Sequence, residues 1–230
     1  MREKIIIALD IDSREQALHL VNELRDLTGM FKVGSQLYMA AGPAIVREII
    51  ETGGRVFLDL KFHDIPNTVT RAALQAARFG VSMMTVHASG GRAMMETAVK
   101  ELQDKFGSKK PLVMAVTVLT SFDNRTLLET GVDRPLEEQV LRLAILAQDC
   151  GADGVVCSPR EIERVRKRVR ADFKILTPGI RLPDQSLNDQ QRTATPHEAI
   201  ALGADYIVVG RAVTEGKDPR GALQTLIQSI

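Results

Sequence analysis

The chain has 230 residues, of which 44% are hydrophobic and 26% charged, and its formal net charge at pH 7 is +1. This balance is ordinary for a globular protein, and it gives no electrostatic basis for binding nucleic acid or an anionic membrane surface. No apolar run approaches the length of a membrane span. We therefore expect a protein with no nucleic-acid partner and no membrane segment, built as one large domain or two small ones.

The cysteines and the amino terminus indicate a cytoplasmic protein. Cys150 ends a helical pattern and Cys157 lies in an apolar strand, and together they form neither a Cys-x-x-Cys pair nor a metal-ligand cluster. Both positions are typical of reduced thiols packed in a core. The residues after Met1 lead directly into the strand pattern Ile5-Ile6-Ile7, without the features of a secretory signal peptide.

Short apolar runs alternate with amphipathic helical patterns along the whole chain. The predicted strands are Lys4–Asp10, Met30–Gly34, Arg55–Lys61, Ser82–His87, Leu112–Thr117, Gly154–Cys157, Lys174–Thr177 and Tyr206–Val209. The predicted helices are Ser13–Leu27, Pro43–Thr52, Thr68–Arg78, Arg92–Phe106, Pro135–Cys150, Pro159–Val169, Pro196–Leu202 and Gly221–Ile227. This alternation predicts a single (β/α)8 TIM barrel domain over residues 1–230. A doubly wound open sheet is the alternative, but Asp10-Ile11-Asp12 occupies the first turn, where a glycine-rich dinucleotide fingerprint would stand.

The connection from Pro178 to Pro196 is unusually long and carries few apolar residues. Long loops in compact domains are usually functional lids or disordered segments. This one follows the seventh predicted strand, which places it at the C-terminal face of a barrel, where active sites form. We predict a lid loop at about residues 178–196.

The most informative segment is the apolar run Val56–Phe62, which carries Asp59 and Lys61. Alternate residues of a strand share a face, so these two side chains are expected to point the same way, with Cα atoms roughly 6.6 Å apart. A lysine and an aspartate on a buried strand are costly unless they are paired. Asp64 follows, just before Pro66 opens the next helix. A structural salt bridge would explain one pair, whereas three ionisable groups at one strand end favour a reaction centre.

Further chemically active residues are predicted at the ends of neighbouring strands. Asp10 ends the first strand, Lys32 lies in the second, and Asp59 and Lys61 end the third. The carboxyl ends of barrel strands converge on one mouth, so the four charges are expected to alternate in sign within one pocket, which keeps all of them charged. His87 ends the fourth strand and is more typical of a hydrogen-bonded core histidine. No metal site is predicted, because Lys61 would repel a cation and no cluster of metal ligands is evident.

A phosphate site is predicted after the eighth strand, where Gly210 and Arg211 stand. Glycine lets the backbone approach a phosphate closely, and arginine supplies a bidentate fork of donors. Barrels often bind phosphate at the loops after strands seven and eight. We expect Arg181 and Gln190 on the long loop to close over the same anion. The alternative for Arg211 is a surface residue at the start of a helix.

The segment around Lys61 resembles the active-site motif of the orotidine 5′-phosphate decarboxylase family. The shared signature is Asp59-x-Lys61-x-x-Asp64-Ile65-Pro66-x-Thr68. Further matches are Ala8-Leu9-Asp10, Phe31-Lys32-Val33-Gly34, Val86-His87-Ala88, Leu119-Thr120-Ser121, Thr177-Pro178-Gly179-Ile180-Arg181 and Val209-Gly210-Arg211. The Asp-x-Lys-x-x-Asp core also resembles sugar-phosphate decarboxylases and hexulose-phosphate synthases of the same superfamily. The Ile-Pro-x-Thr tail, Lys32 and the Pro-Gly-Ile-Arg segment favour the nucleotide enzymes.

The resemblance implies a (β/α)8 homodimer that converts orotidine 5′-monophosphate to uridine 5′-monophosphate and CO₂ in de novo pyrimidine biosynthesis, with neither a metal nor an organic cofactor. The catalytic residues it implies are Lys61, Asp59, Asp64 and Lys32. The substrate contacts it implies are Asp10 and Lys32 to the ribose, Thr68 near the ribose across the dimer interface, Thr120 and Ser121 to the pyrimidine, and Arg181, Gln190, Gly210 and Arg211 to the phosphate. It also implies that Asp64 enters the active site of the partner subunit.

The implied chemistry fits the residues. Loss of CO₂ from C6 leaves a localised carbanion, which Lys61, kept cationic by Asp59 and Asp64, can stabilise and then protonate. Three other functions fit part of the pattern. One is a magnesium-dependent phosphosugar decarboxylase or hexulose-phosphate synthase, and another is a Schiff-base aldolase using Lys61 or Lys32, against which the neighbouring aspartates argue. The third is a non-catalytic phosphate-binding barrel, which would not need alternating buried charges.

Overall fold

The computed structural model describes residues 1–180 and 194–230, within which eight parallel strands pair in sequence order and close into a barrel. The strands are β1 (Ile5–Ala8), β2 (Met30–Gly34), β3 (Val56–Phe62), β4 (Met83–His87), β5 (Leu112–Val116), β6 (Gly154–Val156), β7 (Lys174–Thr177) and β8 (Tyr206–Val209). The first and last strands pair in register from Ile5 with Ile207 to Ile7 with Val209, which completes the ring. The predicted (β/α)8 barrel is confirmed, and the open sheet is excluded.

Helices connect the strands and form the outer layer. In the described residues they are α1 (Arg14–Leu24), α2 (Ser35–Ala41), α3 (Ala44–Glu51), α4 (Pro66–Arg78), α5 (Gly91–Phe106), α6 (Asn124–Glu129), α7 (Leu136–Asp149), α8 (Ile162–Arg166), α9 (Pro196–Ala201), α10 (Arg211–Thr214) and α11 (Pro219–Gln228). Short 3₁₀ turns occupy Arg2–Lys4, Ala88–Gly90, Gly107–Lys109 and Pro159–Glu161. No helix in the described ranges is long and apolar enough to cross a membrane.

The structure differs from the sequence prediction mainly in short elements. The apolar patterns do not predict α2, α6 or α10, which have 7, 6 and 4 residues. Helices of one or two turns are too short for a helical period to show above their surroundings. The prediction also extended the first strand too far: β1 ends at Ala8, and Asp10 lies in the loop that follows.

Alternation along the strands divides the apolar residues between two cores. In β1, Ile5 and Ile7 belong to the large core between barrel and helices, whereas Ile6 and Ala8 belong to a second core inside the barrel. The other buried members of this inner core are Met30, Phe57, Met83, Met114, Leu176 and Val208. Strands buried on both faces are apolar throughout, which explains the continuous runs in the sequence. The inner core fills the barrel beneath its C-terminal opening.

Two Gly-Ala-Asp segments, residues 151–153 and 203–205, stabilise the N-terminal end of the barrel through their aspartates. Asp153 precedes β6, and its carboxylate accepts hydrogen bonds from Lys110 Nζ at 2.6 Å and from the Val113 backbone N–H at 2.8 Å. Asp205 precedes β8, and its carboxylate accepts the Ile175 backbone N–H at 2.9 Å. Each carboxylate therefore holds the start of the strand that pairs beside its own. These contacts lie at the end of the barrel away from the strand carboxyl ends, so we assign them to stability.

The described ends of the long loop meet beside the C-terminal opening. Ile180 and Ala194 form an isolated parallel bridge, and the Ala194 N–H donates to the Gly179 carbonyl at 3.4 Å. Arg181 and Gln190, which are predicted to contact phosphate, lie outside the described residues. The lid at about 178–196 therefore stays a prediction.

We expect Asp153→Ala to lower the free energy of unfolding by about 2–3 kcal/mol, because it leaves a mostly buried ammonium and a backbone N–H without their acceptor. The side chains of Lys110 and Asp153 are 15% and 23% exposed. Urea unfolding followed by circular dichroism measures the change. Asp172→Ala is the matched control, since its carboxylate is 80% exposed beside Arg170 and is expected to contribute less than about 0.5 kcal/mol. Equal effects of the two substitutions would contradict the assignment.

Candidate active site

Strand β3 departs from regular geometry where the reactive residues stand. Its register against β4 shifts between Leu58 and Phe62, and within this bulge Lys61 has a φ of 50°, in the left-handed region that non-glycine residues rarely occupy. The Lys61 N–H leaves the ordinary ladder and donates to Thr85 Oγ1 at 2.9 Å. Phe57, Asp59 and Lys61 nevertheless line one cavity, so Asp59 and Lys61 point the same way, as strand alternation predicts, although the backbone between them is irregular.

Four charged side chains form one series of alternating sign at the barrel mouth. Lys32 Nζ donates to Asp10 Oδ1 at 2.8 Å and lies 3.8 Å from Asp59 Oδ2. Lys61 Nζ donates to the same Asp59 oxygen at 2.9 Å. Asp59 is only 9% exposed, so two ammonium groups offset the cost of burying its charge. The structure thus brings these four predicted residues together in the predicted order.

This charged series lines a cavity of about 560 Å³ at the C-terminal ends of the strands. Its floor is apolar and consists of Ala8, Phe57, Val156, Leu176 and Val208. Its remaining lining residues are Gln36, Thr120, Pro178, Gly179, Gly210, Arg211 and Glu215. The volume is typical of small-molecule sites, and the many polar groups around the apolar floor suit a polar, charged ligand. Within the described ranges, no group of three or more His, Cys, Asp or Glu side chains is placed to hold a metal ion.

Gly210 and Arg211 lie at the edge of this cavity, as the sequence predicts. Arg211 begins the short helix α10 and is exposed. A Cβ atom at position 210 would lie 3.5 Å from the Ala8 Cβ and 4.0 Å from Asp10 Oδ2, which are ordinary contact distances. Crowding within the chain therefore does not require the glycine, and its bare backbone borders the space where a ligand would enter.

Of the predicted site residues that the structure describes, three do not line the cavity of their own chain, namely Asp64, Thr68 and Ser121. Asp64 and Thr68 are exposed near the start of α4, and Asp64 Oδ1 accepts the Ile65 N–H at 2.6 Å. Ile65 is itself 66% exposed. Ser121 is also exposed, although the preceding Thr120 borders the cavity. These side chains therefore need a bound substrate, a partner or a movement to reach a reaction centre.

Two histidines stack beside the charged series. The ring centroids of His63 and His87 are 5.3 Å apart, with an angle of 32° between the ring planes. Burial, followed by the nearby His63 and Lys61, lowers the pKa of His87 below its ordinary value, while Asp59 acts in the opposite direction. His87 is therefore neutral at neutral pH and adds no further positive charge to the mouth. Neither ring lines the cavity.

Sequence reasoning missed three residues at or beneath the mouth. Gln36 and Glu215 border the cavity, and Thr85 lies below it, fully buried, with its hydroxyl donating to Asp59 Oδ1 at 3.0 Å. Gln36 and Glu215 stand in or beside short helices that the patterns do not reveal. The sequence does single out Thr85. Four residues of β4 precede His87, and Thr85 is the polar one among Met83, Met84 and Val86.

Comparison with known proteins identifies the family of the chain. Residues 3–226 match the model of the orotidine 5′-phosphate decarboxylase / HUMPS family. A protein of Syntrophotalea carbinolica named orotidine 5′-phosphate decarboxylase is 51% identical over 232 residues, which cover 100% of this chain and 95% of that protein. A protein of Geobacter sulfurreducens with the same name is 50% identical over 230 residues, which cover 100% of this chain and 96% of that protein.

A solved structure agrees in fold. The crystal structure of orotidine 5′-phosphate decarboxylase from Lactobacillus acidophilus superposes with a TM-score of 0.86 at 39% sequence identity, covering 97% of each chain. The family model spans all eight strands, and the relatives align over the full chain. The chain belongs to the orotidine 5′-phosphate decarboxylase / HUMPS family.

Proposed function

We propose that the chain decarboxylates orotidine 5′-monophosphate to uridine 5′-monophosphate and CO₂ in pyrimidine biosynthesis. The observation that carries the proposal is the Lys61–Asp59 ion pair of 2.9 Å in the wall of a cavity that also contains the Lys32–Asp10 pair. Relatives named for this activity align with the full chain, which favours it over the magnesium-dependent sister activities.

Lys61 is the residue that performs the chemistry. Cleavage of the bond between C6 and the carboxyl carbon leaves the electron pair on C6, in an orbital that the ring carbonyls cannot delocalise well. An ammonium held by Asp59 above an apolar floor is already oriented toward such a localised charge, and it stabilises the charge more strongly once a bound substrate excludes water. Lys61 Nζ then gives its proton to C6 and regains one from solvent. Asp59 holds the ammonium in position through a hydrogen bond of 2.9 Å.

The other walls of the cavity suit the remaining parts of a nucleotide. Asp10 and Lys32 are assigned to the ribose, because a carboxylate accepts and an ammonium donates hydrogen bonds to vicinal hydroxyls. Thr120 and Ser121 are assigned to the polar edge of the pyrimidine, and Thr120 already borders the cavity. The apolar floor suits the flat ring.

The phosphate is assigned to the loops after β7 and β8. Arg211 supplies a bidentate fork, and the bare backbone at Gly210 permits close approach. The loop at about 178–196 is proposed as a lid that brings Arg181 and Gln190 to the same phosphate. Binding energy gained at this remote group would help to close the site and exclude water during chemistry at C6.

The working unit is proposed to be a homodimer with shared active sites. Asp64 and Thr68 stand outside the cavity of their own chain, and Ile65 between them exposes a large apolar side chain. A partner that covers Ile65 would remove this side chain from water, which favours association. Asp64 would then enter the partner's cavity and join the charged series there.

Neither a metal nor an organic cofactor is part of the proposal, because the ammonium of Lys61 supplies both the charge stabilisation and the proton. A cytoplasmic location is also proposed. It is supported by Cys150 and Cys157, which are both buried and form no disulfide. Cysteines outside disulfides are usual in a reducing compartment.

The first functional prediction is that the purified protein consumes orotidine 5′-monophosphate in the presence of EDTA. The loss of orotidylate ultraviolet absorbance follows the reaction, and liquid chromatography identifies uridine 5′-monophosphate. Added Mg²⁺ should leave the rate unchanged. An activity that disappears with EDTA and returns with Mg²⁺ would instead assign the chain to the sister enzymes of the family.

The second prediction concerns the acid. Lys61→Ala should lower kcat by at least about 100-fold, because it removes both the proton donor and the charge that faces C6. The Kd for uridine 5′-monophosphate, measured by calorimetry, should change far less, since the phosphate contacts remain. Lys100→Ala is the matched control, because that side chain is 74% exposed on α5 beside Asp104. A Lys61→Ala protein that keeps a tenth of kcat would exclude Lys61 as the central acid.

The third prediction concerns sharing between subunits. Lys61→Ala and Asp64→Ala proteins should each be inactive, but their mixture should regain activity after subunit exchange. A hybrid dimer would contain one site with both defects and one site with neither, so random mixing restores roughly a quarter of wild-type activity. Mass spectrometry of differently labelled chains verifies the exchange. Absence of recovery in proven hybrids would place Asp64 in the site of its own chain.

A further inference from the structure

We propose that Thr85 is a positioning residue for decarboxylation, whose single hydroxyl sets both the carboxylate of Asp59 and the backbone of Lys61. The inference rests on the proposed function, since Lys61 is its acid. Thr85 lies in β4, has no exposed surface and does not line the cavity, so it cannot act on the substrate directly.

The hydrogen-bonding capacity of the hydroxyl matches its two neighbours. Thr85 Oγ1 donates its proton to Asp59 Oδ1 at 3.0 Å and accepts the Lys61 backbone N–H at 2.9 Å. A hydroxyl has one proton to give and two lone pairs with which to accept, so both contacts form at once. One buried atom therefore links the proposed acid with the carboxylate that holds it.

The contact with Asp59 fixes the plane of the carboxylate. Its Oδ1 atom is bound by Thr85, while its Oδ2 atom is bound by Lys61 Nζ at 2.9 Å and lies 3.8 Å from Lys32 Nζ. Without the hydroxyl, the carboxylate can rotate about its last bond and present either oxygen to the two lysines. The position of the Lys61 ammonium would then vary. Displacement by about 1 Å is enough to slow a reaction substantially.

The contact with the Lys61 N–H supports an unfavourable backbone. The φ of 50° is disfavoured for a lysine, and the register shift of β3 against β4 removes the usual strand partner of its N–H. A buried N–H without an acceptor is unfavourable, so the Thr85 hydroxyl takes the place of the missing ladder carbonyl. Both ends of Lys61, its main chain and its ammonium, thus depend on the position of Thr85.

A role of this kind should appear in kcat rather than in ligand binding. The described groups assigned to the phosphate, Gly210 and Arg211, follow β8, whereas Thr85 lies in β4. Thr85→Val keeps the shape of the side chain but can neither donate nor accept. We expect it to lower kcat for orotidine 5′-monophosphate by about 10- to 100-fold and to change the Kd for uridine 5′-monophosphate by less than about threefold.

Conservative variants separate positioning from packing. Thr85→Ser removes only the methyl group and should keep kcat within about threefold of wild type, while Thr85→Cys, with its weak thiol hydrogen bonds, should fall between serine and valine. Thr28→Val is the matched control, because the Thr28 hydroxyl donates to the Ile5 carbonyl at 2.8 Å at the opposite end of the barrel. It should leave kcat unchanged.

Steady-state kinetics, calorimetry with uridine 5′-monophosphate and thermal melting of each variant complete the test. Wild-type kcat in Thr85→Val, or an equal loss in Thr85→Ser, would overturn the proposal. If Thr85→Val does not fold, kcat of Thr85→Ser is compared with kcat of Thr85→Cys. Equal values in these two variants would overturn the proposal. A wild-type protein without decarboxylase activity would refute the proposed function, which is a distinct outcome from a failure of the role of Thr85.

Discussion

The carboxylate of Asp59 is the group on which the rest of the site depends. It is 9% exposed, and a charge in that position is tolerated only with partners. Its two oxygens are met by the ammonium of Lys61, the hydroxyl of Thr85 and, at a longer distance, the ammonium of Lys32. Removing one of these partners weakens the hold on the buried carboxylate, so the contacts depend on one another rather than adding independently.

The two ends of the barrel have different roles, and this difference makes the arrangement around Asp59 possible. At the N-terminal end, carboxylates such as Asp153 bind the strand starts and serve stability. Inside the barrel, apolar side chains exclude water beneath the C-terminal opening. The charges of β2 and β3 stand directly above this layer, which increases the strength of their mutual attraction. Rigidity at one end and low polarity in the middle thus support the chemistry proposed at the other end.

Much of the fold and part of the site could be predicted from the sequence. Strands buried on both faces read as continuous apolar runs, so all eight appeared, and charged residues within those runs stood out. Thr85 and the bulge at Lys61 could not be foreseen, because the register between β3 and β4 depends on tertiary packing rather than on either sequence alone. The roles of Asp64 and Thr68 remain predictions, since both side chains are exposed and their proposed contacts are with a partner subunit or a substrate.

The backbone conformation of Lys61 is unusual for this chain. In the ranges that the structure describes, Lys61 is the single non-glycine residue with a positive φ. A conformation of this kind typically costs about 1–3 kcal/mol and persists only when its surroundings determine it. Here the surroundings are a buried hydroxyl beneath the main chain and a buried carboxylate beside the side chain. A regular strand would satisfy the same backbone groups at lower cost, so stability alone does not account for the bulge. An ammonium held at a fixed point above an apolar floor does account for it, because a proton donor for a localised carbanion must be in place before the carbanion forms.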